Sequence, residues 1–439
     1  MPSAPPTAPS AAPSAAPAPP ALGLRPSRRA LLGGGLATLS VGAVGWPRPA
    51  HAVGPGQRRF LFLTCFGGWD PTRALVPAFG DSGVDMERDA APLTVGDLTF
   101  VTHPSRRWAR DALSRWGAQM NLMHGILVPS VAHLACMQLV RTGALGGSPD
   151  WPAILGDASA GAEPLPHVVL SGPSYPDRLS AAVAPVGRAG QLGALISGDA
   201  LEWTGAPPLP TPPAVAGAED ALVAARRSAL AASTARPAVA SLLAGHAEAE
   251  GRVDALLAGA SGLSWAAGGP FLDQARQAAR LLEAGLCRVA SVAHPALWDS
   301  HSENDVYQNV LWEETIGSLG VLLDELAAMA GPAGGSLLDE TVVVLMSEMG
   351  RTPRLNSDRG KDHWPYTSAL VIGGGLPGGR VLGAYDPGLL GAPVGPDGAP
   401  DAGGAPLSTA DLGATLLALG DVDPAEWAPG GRDLSAALG

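Results

Sequence analysis

The sequence predicts an α/β protein in three layers: a mostly parallel central sheet with helices on both faces. Two observations carry that expectation. Apolar runs of strand length, at 59–65, 288–293, 341–346 and 367–372, alternate with runs of helical length. Clusters rich in Asp, Glu and His stand directly after those runs or one short loop beyond. Open α/β sheets bind their ligands at the carboxyl ends of strands.

The elements follow in order. Residues 59–65 (RFLFLTC) are almost continuously apolar and close on Gly67-Gly68, the pattern of a strand buried on both faces. An amphipathic helix is expected over 105–118, a short strand over 121–125, a helix over 133–142 and a strand over 167–170. Residues 203–217 are rich in Pro and Ala and read as loop; 218–262 read as helical. Together 203–265 form a helical insertion or peripheral layer. A helix over 271–285, a strand over 288–293 and a long helix over 304–330, closed by Gly331-Pro332, come next. Strands at 341–346 and 367–372 precede a Gly/Pro-rich loop at 384–406. Ser408-Thr409-Ala410-Asp411 is expected to cap a last helix to about Leu419.

Residues 1–52 stand apart. The first 24 are mostly Pro, Ala and Ser, which cannot build a core. Ser27-Arg28-Arg29-Ala30-Leu31-Leu32 opens a short Gly-rich apolar run, and Ala50-His51-Ala52 closes it as a small-x-small cleavage site. That order reads as a twin-arginine export signal, too short and glycine-rich for a membrane span. The expected location is periplasmic or extracellular, with the twin-arginine translocase as partner during export and no stable span after cleavage. Removing the leader takes away four arginines and no acid, so the formal charge goes from −12 to −16. Such a surface disfavours nucleic acid. Cys65, Cys136 and Cys287 are odd in number and widely spaced, so buried free thiols are expected.

Four segments carry the chemistry. Asp299 and His301 are two apart after a strand, so extended backbone turns both the same way. Glu348 follows the apolar run 342–346, where a carboxylate is costly unless paired or metal-bound; Arg351 or Arg354 is the alternative partner. His363 stands in a polar loop with Asp362 beside it to orient its second nitrogen. Asp70 ends the first strand after Gly67-Gly68-Trp69. Carboxylates mixed with imidazoles suit a divalent metal: zinc, manganese or iron, with calcium as the all-oxygen extreme. His124, Ser130 and His133 form a looser group, in which Ser130 is a weak nucleophile and a better helix cap. Lys361 is the only lysine of the chain. Gly373-Gly374-Gly375-Leu376-Pro377-Gly378 matches GxGxxG, but Pro377 lies inside it and no helix follows, so a dinucleotide site is rejected.

Taken together, Gly67-Gly68-x-Asp70, Trp298-Asp299-Ser300-His301, Ser347-Glu348-Met349-Gly350-Arg351-Thr352-Pro353 and Gly360-Lys361-Asp362-His363-Trp364-Pro365 resemble the family called domain of unknown function 1501. That family is similar to the alkaline-phosphatase and sulfatase superfamily. The resemblance implies an alkaline-phosphatase-like fold and a metal held by Asp70, Asp299, His301, Glu348 and His363. Met349 stands where the phosphatase pattern has a histidine, which favours a one-metal site as in the sulfatase branch. The function implied is an exported metal-dependent hydrolase of phosphate or sulfate esters, on a small molecule or a polymer, with Arg351 steadying anionic charge. The alternative is a non-catalytic exported binding protein on the same fold. If the leader is removed as read, the mature chain begins near Val53. Intact-mass measurement of exported protein checks this, and retention of Met1 overturns it.

Overall fold

The computed structural model describes residues 53–159, 162–185, 213–260 and 269–439. The leader, and parts of the 203–265 segment, lie outside the described residues. The strands are β1 (Arg59–Cys65), β2 (Ala91–Val95), β3 (Leu98–Thr102), β4 (Asn121–Leu127), β5 (His167–Val169), β6 (Val183–Pro185), β7 (Val289–Ala293), β8 (Thr341–Ser347), β9 (Gly350–Arg351), β10 (His363–Trp364), β11 (Tyr366–Gly373) and β12 (Val381–Leu382). Eight of them make one sheet in the order β12-β4-β11-β8-β1-β7-β5-β6. It is mostly parallel; among the described residues, β11 alone runs against its neighbours, β8 and β4. This is the α/β architecture expected, with helices on both faces.

Register brings the site together. Thr64 pairs with Ala293, Cys65 with Ser347, and Tyr366 with Leu127. The carboxyl ends of β1, β4, β7 and β8 and the start of β11 therefore share one sheet edge. The antiparallel run of β11 sends its Gly373-Gly374-Gly375 turn to the opposite edge, beside Thr341 and Val342. The glycine triplet has no part in the site.

Period-two alternation splits the core in two. Leu61, Leu63, Val343 and Leu345 face the helices Arg107–Trp116, Phe271–Glu283 and Asn304–Ala328. Phe60, Phe62, Val342, Val344 and Met346 face Trp151–Asp157 and Thr409–Leu419. Each such side chain, fully buried, contributes roughly 1.5–3 kcal/mol. Along Asn304–Ala328, Gln308, Leu311, Trp312, Thr315, Ile316, Leu319 and Leu323 recur at helical spacing and are buried. Gly317 and Gly320 let that helix close on Arg107–Trp116: a Cβ on Gly317 would lie 2.1 Å from Trp108.

The peripheral segment forms two helices, Pro213–Ser233 and Pro237–Gly259, tied to the body through buried Leu256 and Ala260. The β2–β3 hairpin was not anticipated. Its signal is a two-residue loop, Gly96-Asp97, with Gly96 at φ +61°. Cys65, Cys136 and Cys287 are free and buried, as expected. Among the described residues, no helix is long and apolar enough to cross a membrane.

Candidate metal centre

The turn after β1 starts the site. Gly67 and Gly68 take φ of +110° and +78°, which leaves their successive N–H groups pointing the same way. Those amides donate to Glu348, Gly67 to Oε1 at 2.8 Å and Gly68 to Oε2 at 3.2 Å. The Ser347 hydroxyl donates to Oε2 at 3.0 Å, and His133 Nδ1 lies 2.8 Å from Oε1. Four donors fill the lone-pair directions of a carboxylate. Glu348, expected as a metal ligand, is thus a buried acceptor behind His133, and neither Arg351 nor Arg354 is its partner.

His133 opens the helix His133–Thr142. The hydrogen bond to Glu348, more than the opposing effect of burial, raises its pKa above the ordinary imidazole value. Its Nε2 is buried without a hydrogen-bond partner and lies 3.4 Å from Asp299 Oδ2. His363 Nε2 is 3.3 Å from Asp299 Oδ1, and its Nδ1 is 2.7 Å from the Val131 carbonyl. His301 Nε2 is 3.1 Å from Asp299 Oδ1 and 2.9 Å from His363 Nε2, while its Nδ1 faces Asp362 at 2.8 Å. Ligand atoms of His133, Asp299 and His363 all lie within 4.8 Å of one another, and His301 borders them from the exposed side.

The hydrogen-bond network assigns the tautomers. Each Nδ1 faces an oxygen that can only accept: Glu348, Asp362 or a carbonyl. Each Nδ1 therefore carries a proton, and each Nε2 is turned toward Asp299. With both Nδ1 atoms protonated, His301 and His363 Nε2, 2.9 Å apart, need a proton or a metal cation between or beside them. Three imidazole nitrogens plus one carboxylate, backed by acceptors, fit a divalent ion such as zinc, manganese or iron. The nitrogen-rich set does not suit calcium, which takes six to eight oxygens.

Arg351 is 1 % exposed. Its guanidinium donates to the carbonyls of Gly67, Gly68 and Lys361 and to Asp299 Oδ1 at 2.6 Å. Burial alone would push the Asp299 carboxyl up; the Arg351 hydrogen bond and charge outweigh it and hold it below the usual range. Arg351 was expected to contact a substrate anion; the structure turns its donors inward. Asp362 is held down chiefly by its hydrogen bond from His301.

Asp70 was expected beside these ligands. It belongs to a separate, fully buried cluster. Its Oδ2 lies 2.8 Å from Lys361 Nζ, 3.0 Å from Asn304 Nδ2 and 3.4 Å from Arg73, while Oδ1 accepts the Thr72 amide and hydroxyl at 3.1 and 2.6 Å. Arg73 also pairs with Asp305. Burial opposes ionisation of Asp70, but Arg73 and Lys361 hold its pKa well below the usual range. Ser130 accepts the Ala132 amide at 3.1 Å, a turn cap before the helix. His124 is buried in β4 against Ser368, where burial lowers it to about 4. The candidate ligand that the sequence reading left aside is His133. Its signal was a histidine at the first turn of a helix that follows a strand.

The fold and site define an α/β protein with a His- and Asp-built metal-type centre at the carboxyl edge of a mainly parallel sheet. The chain belongs to the family described as protein of unknown function (DUF1501), which it matches over residues 133–438; β1 and Asp70 fall outside that match. No curated protein sequence matches it. Among solved structures it is similar to an alkaline-phosphatase-superfamily protein from Vibrio parahaemolyticus, at 12 % identity and TM-score 0.39, covering 87 % of this chain and 70 % of that one. It is similar also to a lipoteichoic acid synthase from Listeria monocytogenes, at 8 % identity and TM-score 0.30, covering 87 % and 74 %. A sulfatase from Pseudoalteromonas sp. is similar at 12 % identity and TM-score 0.28, covering 87 % and 72 %. The functional reading rests on the chain's own residues.

Lys361→Met strands Asp70 without its closest cation. Removing one partner of a buried pair costs about 3–5 kcal/mol. Urea unfolding should show a loss of that order, partly recovered in Asp70→Asn/Lys361→Met; a loss under about 1 kcal/mol means the pair does not hold the fold.

Proposed function

We propose that this protein is an exported metal-dependent hydrolase acting on phosphate or sulfate esters. The observation that supports this most is the convergence of three imidazole Nε2 atoms on Asp299, with every Nδ1 held by an acceptor. A bound divalent ion would supply Lewis acidity toward an ester oxygen and acidify a coordinated water. His133, Asp299, His301 and His363 would hold it. Glu348 and Asp362 hold the protons of His133 and His301 at their Nδ1 atoms, and Arg351 keeps Asp299 ionised. The leader supports export through the twin-arginine translocase, and folding before export suits a protein that acquires its metal inside the cell.

One observation favours a second reading, a non-catalytic metal-binding protein. Among the described residues, the Ser130 hydroxyl is tied to a backbone amide rather than to the ligand group. Hydrolysis would then depend on water as the nucleophile. Metal analysis of exported protein, followed by assay of the zinc-, manganese- and iron-loaded forms on phosphate and sulfate esters, separates the two. Metal bound without turnover on any ester supports the second reading, and no bound metal sinks both.

Glu348→Gln keeps the size of the side chain but removes its charge from His133. Loss of an outer-shell partner weakens metal binding about 10–100-fold. Asp299→Asn or His133→Ala should abolish it at the same metal concentration. Competition titration with a chelator reads all three. Unchanged affinity in Glu348→Gln removes it from the centre.

A further inference from the structure

The four side chains of the centre are not held equally well. His133 opens a helix and is backed by buried Glu348. Asp299 is held by the Arg351 guanidinium, and His363 by the pairing of β10 with β9 and by the Val131 carbonyl. His301 has no buried partner of this kind. Its side chain is 48 % exposed, and Asp362, the acceptor at its Nδ1, is 58 % exposed. Two exposed side chains in contact fix each other weakly, because ordering both costs rotamer freedom. What places His301 therefore lies in its backbone.

That backbone is bracketed by the loop 356–361. The Lys361 amide donates to the Ser300 carbonyl at 3.0 Å, the Glu303 amide to the Asp358 carbonyl at 3.1 Å and the Asn304 amide to the Arg359 carbonyl at 2.9 Å. Gly360 lies so close that a Cβ on it would be 1.9 Å from the His301 carbonyl. Glu303 and Arg359 both take left-handed backbone, at φ +46° and +57°, and Arg359 forms a β-bridge with Ser302. Such conformations persist where the surroundings over-determine the chain. At the start of the loop stands half-buried Asn356. Its Oδ1 accepts the Asp358 and Gly360 amides at 3.0 and 2.9 Å, which makes Nδ2 the donor end. Nδ2 donates to the His301 carbonyl at 3.0 Å and to Asp362 Oδ1 at 3.4 Å. One end of this amide closes the loop. The other holds both the main chain of His301 and the carboxylate that orients its ring.

From this geometry we infer that Asn356 is a positioning residue of the centre: it sets where the His301 imidazole stands relative to Asp299 and His363. The inference rests on the metal-binding part of the proposed function and not on ester hydrolysis. His133, Asp299 and His363 have their own supports, so loss of the Asn356 amide leaves a weaker site rather than none.

Zinc affinity of the full chain, read by competition with a chelator, should fall about tenfold in Asn356→Ala, as for loss of an outer-shell partner. Asn356→Ala/His301→Ala should bind zinc within about twofold of His301→Ala alone, since Asn356 acts through His301. The visible spectrum of cobalt-loaded Asn356→Ala should resemble that of His301→Ala rather than the wild type. A loss under about threefold, losses that multiply in the double variant, or a wild-type spectrum overturns the inference. Amide exchange tests the positioning without metal. Asn356→Asp keeps the Oδ1 acceptor and removes the donor. In it and in Asn356→Ala, the Glu303, Asn304 and Lys361 amides should exchange at least tenfold faster, with those of β8 unchanged. Unchanged exchange at the three, or acceleration that reaches β8 in both variants, overturns the inference. Turnover enters none of these readouts, so metal binding without ester hydrolysis leaves the inference standing while the hydrolase reading fails. If the wild type binds neither zinc, manganese nor iron, the metal reading fails, and amide exchange alone decides whether Asn356 positions His301.

Discussion

The site depends on one buried guanidinium. Arg351 reaches the exit of β1 through the Gly67 and Gly68 carbonyls, the exit of β7 through Asp299, and the loop before β10 through the Lys361 carbonyl. Only a planar fork with five donors can join so many separate segments at once, and an ammonium on a flexible stem could not. A buried guanidinium is tolerated only when its donors are matched. Its need for acceptors thus fixes the distances between the loops that carry His133's orienter, Asp299 and His363. The three stacked and edge-on tryptophans, Trp69, Trp298 and Trp312, fill the space beneath, and Trp312 Nε1 donates to the Asp70 carbonyl.

Beside this fork lie two ionic groups with different tasks. In one, Asp70, Lys361, Arg73 and Asp305 are matched in charge and nearly closed to solvent, so their mutual attraction offsets the cost of desolvation. In the other, carboxylates outnumber arginines and lysines, and the Nε2 atoms of two imidazoles face each other. The first is complete without a ligand; the second has the donor atoms to hold one. Lys361 joins them: its side chain belongs to the closed group, and the next two residues supply Asp362 and His363.

Much of this was legible in the sequence. Strand periodicity gave the sheet, and the positions of Asp299, His301 and His363 after strands pointed to three side chains that the structure brings together. What failed was the assignment of partners. Asp70 and Glu348 are both carboxylates at strand exits, as a metal ligand would be. Yet Asp70 meets a lysine 291 positions away in sequence, and Glu348 meets two glycine amides. Nothing local announces such contacts. His133 was passed over for the opposite reason, since a lone histidine at a helix start is usually unremarkable. Its place is set by the register that puts the end of β4 beside β11, whose other neighbour is β8. The antiparallel run of β11 was hidden too, because a buried strand looks the same in either direction.

The lone-pair geometry also bears on how the centre is kept. Without a cation, His301 and His363 at 2.9 Å must share a proton or separate, and His133 Nε2 stays buried, 3.4 Å from Asp299 Oδ2 and with no hydrogen bond among the described residues. Either outcome opposes the arrangement that Glu348, Asp362 and the Val131 carbonyl impose from behind. An ion bound at the Nε2 atoms would satisfy both sides at once. Its binding free energy would therefore be felt in the helix His133–Thr142 and in the loop carrying Asp362 and His363, and much less in the closed Asp70–Lys361 group. The fold has separated its own stability from the stability of the centre, with Arg351 as the connection between them.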